Sequence, residues 1–562
     1  VEAVVKEPAE RGAYLRLKAD GLESVGDRVA AFVAYQELAD LSDAWSDKEL
    51  EPVKPHWEVR RERLVRAHLE RLHQSAAEAG DEPAVKQMLS LVDEAWRKSE
   101  AVGDRESVER FVAFYGGFAT AEEARFRLAE ARAAAGEWLA AELLLMDLEQ
   151  SPRGEIARRA WARHAQLLAD AGRPDDAATY YARLTGEWAD ELCGPESTGR
   201  QCFEALPAEH VIRTLLDQRP SFPMGAVKVA EQDQEFDPSN ARTPVDIEGQ
   251  RGPFFRTTSL FVTHSTQRST VSADDGLGNK VWSLPLQDPS QSELPIIAPN
   301  AGLSQGRVHG HLAVVSYGYH LFAIDPLGSQ KSNDPRVLWR ADLNDGMPGM
   351  GRSQGIIQQQ ATQRFAPPRF YAADQFNRRI GNTACLGEIG LVYQRGRVLC
   401  CVSPVTGQLQ WTRDDVPPGS DLFGDGDVLC VIPPGQDALL LDAVDGHELG
   451  RRKVPPQDQR VQTLGRCLLS WTDLGAKGAL RFHDLLEDRE IWSEEFPVRA
   501  KAWLVDGESI GVFAPEGRFV LLNIADGKKL VDEALDEERK VSDVYVFPSR
   551  DQYNLLVTHT VD

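Results

Sequence analysis

The stretch Val398–Trp411, VLCCVSPVTGQLQW, decides how the second half of this chain is read. Its adjacent cysteines, Cys400 and Cys401, suggest a vicinal disulfide and therefore redox chemistry. The residues around them point elsewhere: an apolar run, a Thr-Gly turn at Gly407, and a returning segment that ends in Trp411. That is a β-hairpin pattern, in which glycine permits the positive φ of a tight turn. Consecutive strand residues face opposite sides of a sheet, whereas a vicinal disulfide forces two side chains together in a strained ring. The pair is therefore expected as two reduced, buried thiols on a strand.

The same pattern recurs. Aligned on the position of Trp411, the units end at Trp282, Trp339, Trp411, Gly450, Trp492 and Val531, and the last four are spaced 39, 42 and 39 residues apart. Asp-Gly turns at Gly446 and Gly527 stand where Gly407 does. A period near 40 with several short strand signals per repeat suits a four-stranded blade of a β-propeller. A tryptophan delivered by the returning strand is large and flat enough to fill the gap between blades, and its N–H needs a backbone acceptor there. From about residue 225 to 562 the repeat apolar-x-Ala-x-Asp-x-x-Thr-Gly-x-x-x-Trp, kept imperfectly in six copies, resembles that of PQQ-like propellers, the quinoprotein alcohol dehydrogenase-like and BamB-like proteins. The resemblance implies seven or eight blades. The last looks incomplete, either closed by an early strand such as Gly225–Gln232 or lacking residues at the C-terminus.

Up to about residue 215 the chain is rich in Ala, Leu, Glu and Arg and patterned at helical spacing. Gly103, Gly136 and Gly172 recur at intervals of 33 and 36 residues, followed at plus five and plus nine by Val108 and Val112, Ala141 and Leu145, and Ala177 and Tyr181. A small residue at the turn lets two helices fold back, and the apolar positions after it pack on the first helix. This resembles the tetratricopeptide repeat, whose period is about 34; an irregular helical bundle is the alternative. The expected architecture is thus multidomain α plus all-β. A TPR-like α-hairpin solenoid (1–215) and a linker (216–224) precede a PQQ-like β-propeller (225–562) with an insertion at 343–390.

Composition limits the partners. A net charge of −24 disfavours nucleic acid in the absence of a local basic patch. No run reaches the roughly 18–20 apolar residues that span a bilayer. Seven cysteines are too sparse for a disulfide scaffold. Cys193 and Cys202 bracket CGPESTGRQC, where a disulfide and two free thiols are equally compatible with the sequence. The first residue is Val, and the sequence reads as a fragment of a longer protein whose compartment it does not reveal.

The quinone-dependent enzymes of the family need PQQ, a Ca²⁺ held by carboxylate and amide oxygens, an Asp base and a polarising Arg. Asp374, Asn377, Arg378 and Glu388 lie close in sequence but in a polar insertion, and do not assemble that set. Asp421, Asp425 and Asp427 in SDLFGDGDVLC lack the closing Glu of a calcium loop and fit an Asp-Gly hairpin better. The 12 histidines show no ligand spacing. Catalytic, cofactor and metal residues are accordingly expected to be absent. The insertion stretches the Trp339-to-Trp411 interval to 72 residues, and long excursions from a scaffold commonly bind. Arg352, Arg369, Phe370 and Arg378 are its candidate contact residues, with a solvated loop as the alternative.

The expected function is a non-catalytic scaffold that binds other proteins or envelope polymers through the helical repeats and one propeller face. The resemblance to exported relatives points to the periplasm or cell envelope. The alternative is a PQQ- and calcium-dependent periplasmic dehydrogenase for an alcohol or sugar.

Overall fold

The computed structural model describes residues 8–41, 50–217, 242–252, 254–255, 258–264, 269–275, 278–286, 304–317, 320–329, 332, 334–343, 355–358, 370–373, 379–505, 509–514, 516–534, 541–549 and 552–559. Helices come first: α1 (Pro8–Ser24), α2 (Arg28–Asp40), α3 (Arg61–Glu78), α4 (Glu82–Val102), α5 (Arg105–Tyr115), α6 (Ala121–Ala134), α7 (Trp138–Glu149), α8 (Gly154–Asp170), α9 (Pro174–Thr185), α10 (Gly199–Glu204) and α11 (Val211–Asp217). Each of α6, α7, α8 and α9 packs on its successor or predecessor in the chain. Gly103, Gly136 and Gly172 end α4, α6 and α8 with φ of +73°, +73° and +72°, the left-handed turn that suits glycine. Ala141, Leu145, Ala177 and Tyr181 are all buried after those turns. One element breaks the helical run: Glu51–Lys54 and Trp57–Val59 form a β-hairpin between α2 and α3. The linker expected at 216–224 begins inside α11; residues 218–224, like Gly225–Gln232, lie outside the described residues.

Among the described residues, six antiparallel four-stranded meanders follow. Sheet A contains Arg242–Arg251, Thr258–His264, Ser269–Asp275 and Lys280–Pro285; sheet B contains Ser304–Gly310, Leu312–Tyr317, His320–Asp325 and Arg336–Asp342. Sheet C contains Thr383–Cys385, Leu391–Arg395, Val398–Val402 and Leu409–Arg413; sheet D contains Asp421–Asp425, Val428–Ile432, Ala438–Asp442 and Glu448–Arg452. Sheet E contains Arg460–Leu464, Cys467–Asp473, Lys477–Asp484 and Arg489–Pro497; sheet F contains Lys501–Leu504, Ser509–Phe513, Arg518–Asn523 and Lys529–Ala534. Thr383–Cys385, placed in the insertion by the sequence reading, is thus the first strand of sheet C. Two hairpins stand apart, Gly355–Gln358 with Phe370–Ala373 and Val541–Ser549 with Gln552–His559. Sheets A and B are fused because the first strand of A continues parallel to the first strand of B, from Val245 opposite Ser304 onward. The first strands of B, C, D, E and F also meet in chain order. Central strands such as Leu312–Tyr317 and Val428–Ile432 are buried along their whole length, as strands covered on both faces must be.

One contact repeats between neighbouring sheets. The indole N–H of Trp339 in sheet B donates to Pro404 O (2.9 Å), that of Trp411 in C to Ala443 O (3.0 Å), and that of Trp492 in E to Ile524 O (2.7 Å). Each ring lies on the glycine of the turn it reaches. A Cβ on Gly407 would come within 2.6 Å of Trp339, on Gly446 within 2.9 Å of Trp411, and on Gly527 within 2.8 Å of Trp492. The turns are tied by a side chain at the head of the motif: Asp442 accepts from Val444 N–H (2.9 Å), Asp484 from Leu486 N–H (2.9 Å) and Asn523 from Ala525 N–H (2.8 Å). In all six sheets the last strand also carries a one-residue bulge just before the Trp position: Cys401 pairs with Trp411 but Val402 with Leu409, and Phe482 with Trp492 but His483 with Glu490. A bulge twists the strand and re-aims the next side chain, here toward the following sheet.

The contact is not made at every junction: the buried Trp282 indole N–H of sheet A has no hydrogen-bond partner, and between sheets D and E both halves of the pair are replaced. Sheet D has Gly450 in place of the tryptophan, and the turn it faces in sheet E has Asp488, at φ +50°, in place of the glycine. Arg452 takes the role of the missing indole by donating to Leu486 O (3.1 Å).

Adding one methyl group at Gly446 forces strain at φ +79° and pushes into Trp411. Gly446→Ala should lose about 2–4 kcal/mol in denaturant unfolding. Gly435→Ala has a similar φ of +68° but open space around it, and should lose only about 1 kcal/mol. Equal losses would show that the tryptophan contact contributes nothing.

Candidate functional site at the helix–sheet junction

A cluster of fully buried charged groups lies where the helices meet the sheets. One hydrophobic core runs from α1 through α9 into sheets B and C and takes in Leu312, Leu321, Leu391 and Cys400. Within it, α7 is apolar on nearly every side yet carries Glu142, which is 1 % exposed. Its carboxylate accepts from His311 Nδ1–H (2.7 Å) and backbone N–H (3.1 Å), and from His164 Nε2–H (3.2 Å). The far nitrogens of the two rings donate to Asp176 on α9 (3.2 Å) and Glu149 on α7 (2.7 Å). Each imidazole thus faces carboxylate oxygens through both nitrogens. A neutral ring would aim a lone pair at one of them, so both rings are imidazolium.

The charges behave accordingly. Burial alone would push His164 down, but Glu149 and Glu142 outweigh it and the ring is pushed up to about 9. His311, against Glu142 and Asp176, overcomes the same burial and is pushed up to about 10. Burial pushes the Glu142 carboxyl up, yet the His311 charge and the hydrogen bonds of both rings hold it well below the usual carboxylate range. Around the cluster Arg173 donates to Pro326 O, and its guanidinium lies over Phe254.

A second anchor is made by α3 and the hairpin before it. Trp57–Val59 adds to the outer edge of sheet C, Val59 opposite Trp411 and Trp57 opposite Arg413. Trp57 donates its indole N–H to Asp445 O (2.6 Å), and Arg71 of α3 reaches Asp445 (3.0 Å) and Asp442 (3.3 Å). The helical part thereby copies the Trp-to-turn contact that joins the sheets.

Among the sequence candidates, Trp282, Trp339, Trp411, Trp492, Gly407, Gly446 and Gly527 all lie on the sheets described above. Arg352, Arg369 and Arg378, with Asp374 and Asn377, lie outside the described residues; Phe370 starts the strand Phe370–Ala373 opposite Gly355–Gln358. Glu388 is on the turn between the first two strands of sheet C, 4.0 Å from Arg125 of α6. Asp421 is engaged by Arg379 (2.8 Å) and Arg460 (3.3 Å), and Asp425 by Arg466 N–H (3.2 Å). Among the described residues no group of His, Cys, Asp and Glu could hold a metal ion, and no helix is long and apolar enough to cross a membrane. All seven cysteines are free. Cys400 faces Tyr393 and the helices, whereas Cys401 faces Val392 and Trp411; burial pushes their thiols up to about 11 and about 12. The sequence reading missed Glu142, His164, Asp176 and His311. The available signal was a single Glu inside the otherwise apolar WLAAELLLM.

No protein family model matches this chain, and no curated protein matches it in sequence. Among solved structures, BamB from Moraxella catarrhalis is similar at 12% identity over 56% of this chain and 85% of that one, with a TM-score of 0.29. KlHsv2 with loop 6CD replaced by a Gly-Ser linker is similar at 9% identity over 56% and 90%, with a TM-score of 0.31. Neither likeness bears on what the chain does.

The cluster sets a pH limit. A histidine whose folded pKa lies above its unfolded value of about 6.5 stabilises the fold fully below that value and loses this as pH rises through the folded value. Melting temperature should therefore fall from about pH 6.5 to about pH 10. His311→Ala leaves Glu142 and Asp176 buried without their partner; it should cost about 3–5 kcal/mol at pH 7 and flatten the alkaline fall.

Proposed function

We propose that this chain is a non-catalytic scaffold that holds protein or envelope-polymer partners on a fused helical and β-sheet body. Under this proposal sheets A to F are blades of a PQQ-like propeller of seven or eight blades, and the Val541–Ser549 and Gln552–His559 hairpin opens the next. The helices are TPR-like hairpins, and the compartment is the cell envelope.

One observation carries the reading: the helices and the insertion leave opposite ends of the sheets. The helices meet the turns at Gly310–His311, Leu386–Gly390 and Asp442–Gly446, which join first to second or third to fourth strands. The insertion runs from Leu343, after the last strand of B, to Arg379, before the first strand of C, and in an antiparallel meander that connection lies at the other end. The helical surface toward sheets B, C and D is filled by the chain itself, which differs from an open peptide groove. Partners then go to the remaining helical surface and to the insertion end, where Arg352, Arg369, Phe370 and Arg378 are the proposed contacts. Glu142, His164, Asp176 and His311 are engaged in holding the two parts together.

A photo-crosslinking residue at Phe370 in cells should yield one discrete adduct, lost when Arg352, Arg369 and Arg378 are changed to Ala. A smear that the triple change does not alter would remove the proposed surface. Added PQQ and Ca²⁺ should give no stoichiometric quinone absorbance and no dye reduction with alcohols or sugars; turnover would replace the scaffold reading with the dehydrogenase.

A further inference from the structure

Away from the histidine cluster, two other places along the junction put a pair of carboxylates against arginine. At the first, Asp147 near the end of α7 lies on the turn between the first two strands of sheet C. A Cβ on Gly387 would fall 2.5 Å from Asp147 Oδ1, and Glu388 N–H donates to that carboxylate. The Glu388 side chain turns toward Arg125 of α6 (4.0 Å) and has one buried oxygen without a hydrogen-bond partner. The other cations facing this pair are Arg66 of α3, which is bonded to Glu70 (2.8 Å), and Arg63 of α3, which faces Glu388 and donates to Gln410 (3.1 Å); Cys385 is close by and holds its proton.

At the second, Asp442 and Asp445 on the turn of sheet D share Arg71 of α3. Asp445 is fully buried. The other charged groups here are Glu70 of α3 near Asp442, Glu23 of α1 near Arg71, and Lys54 near His447 of sheet D. Glu23 is itself paired with His68 (3.0 Å), and His447 is kept from protonating first by burial and then by Arg71.

We propose that this seam, between α3, α6 and α7 on one side and sheets C and D on the other, is a proton-operated clasp that grips more tightly at mildly acidic than at mildly alkaline pH. Two carboxylates forced together in a poorly solvated place cannot both ionise cheaply, so each pair retains a proton that solvent-exposed carboxylates would lose. Burial first and the neighbouring carboxylate second push Asp147 and Asp442 up to about 7. A carboxylate raised above its unfolded value near 3.9 stabilises the folded form below that value, and the stabilisation is lost as pH rises through 7. The histidine rings stay charged in the folded chain across this range, and their own part of the pH dependence is shared by any variant that leaves that cluster intact.

The test compares melting of the full chain with an Asp147→Asn, Asp442→Asn double variant from pH 5.5 to 8.5. Asparagine keeps the oxygen that accepts from the turn N–H groups but cannot ionise. The wild type should fall below the double variant by about 2 °C or more between pH 6 and pH 8.5; parallel curves would overturn the clasp. Hydrogen exchange at equal pH then places the effect. Wild type should exchange faster than the variant at pH 8.5, but not at pH 6, in α7 and Leu386–Gly390; a difference confined elsewhere would also overturn it. Should the double variant fail to fold, Glu388→Gln serves the same comparison, because that side chain contributes only a long ion pair and its loss should weaken the pH dependence.

Discussion

The contact on which the β-structure depends is the indole laid across a neighbouring turn with no room for a side chain. It joins three features that look independent in sequence. The glycine provides the positive φ and the empty space, the head-of-motif Asp or Asn ties the turn so that its carbonyl is presented, and the bulge swings the tryptophan out of its own sheet. Removing any one leaves a buried N–H without an acceptor or a ring without a surface, and both are expensive in a close-packed interior. The junction of sheets D and E makes the coupling visible. Where sheet D gives up its tryptophan at Gly450, sheet E gives up its glycine at Asp488, and Arg452 supplies the hydrogen bond instead.

The helical part joins the sheets by the same means and by charge. Trp57 repeats the indole-to-turn contact on Asp445, beside Trp411, as though the hairpin were an extra strand of sheet C. The buried charges are arranged differently along the junction. At Glu142, His164 and His311, every ring nitrogen meets a carboxylate and the cluster is well satisfied. At Asp147 and Asp442, carboxylates crowd each other. Both respond to protons, the paired cluster as its rings approach neutrality at alkaline pH and the crowded pairs as their carboxyls ionise near pH 7; the junction contains both within the reach of α3 and α7.

This arrangement bears on function through surfaces. A helical repeat array that stood free would offer its inner face to a peptide. Here the hydrophobic core is continuous across the boundary, so the chain's own sheets cover the helical surface that faces them. Under the proposed scaffold reading, partners use the outer helical surface and the opposite end of the sheets, where the insertion departs.

Much of the architecture was legible in the residues. The switch from a helical to a two-residue period, the helical turns at Gly103, Gly136 and Gly172, and the spacing of Trp411, Gly450, Trp492 and Val531 are local or periodic signals, and local backbone preferences are written along the chain. The strand reading of Cys400 and Cys401 belongs here too, since alternation alone separates their side chains. The hairpin at Glu51–Val59 was not legible, because a four-residue and a three-residue strand gain their stability from sheet C, more than 300 positions away. The same holds for the ion cluster. Glu142, His164, Asp176 and His311 come from three helices and one turn, and sequence spacing contains no record of which buried charge will face which. Alone, the sequence determined the kinds of elements and their repeats; only the tertiary structure decided their partners, because burial and electrostatic pairing depend on distances that the folded chain creates.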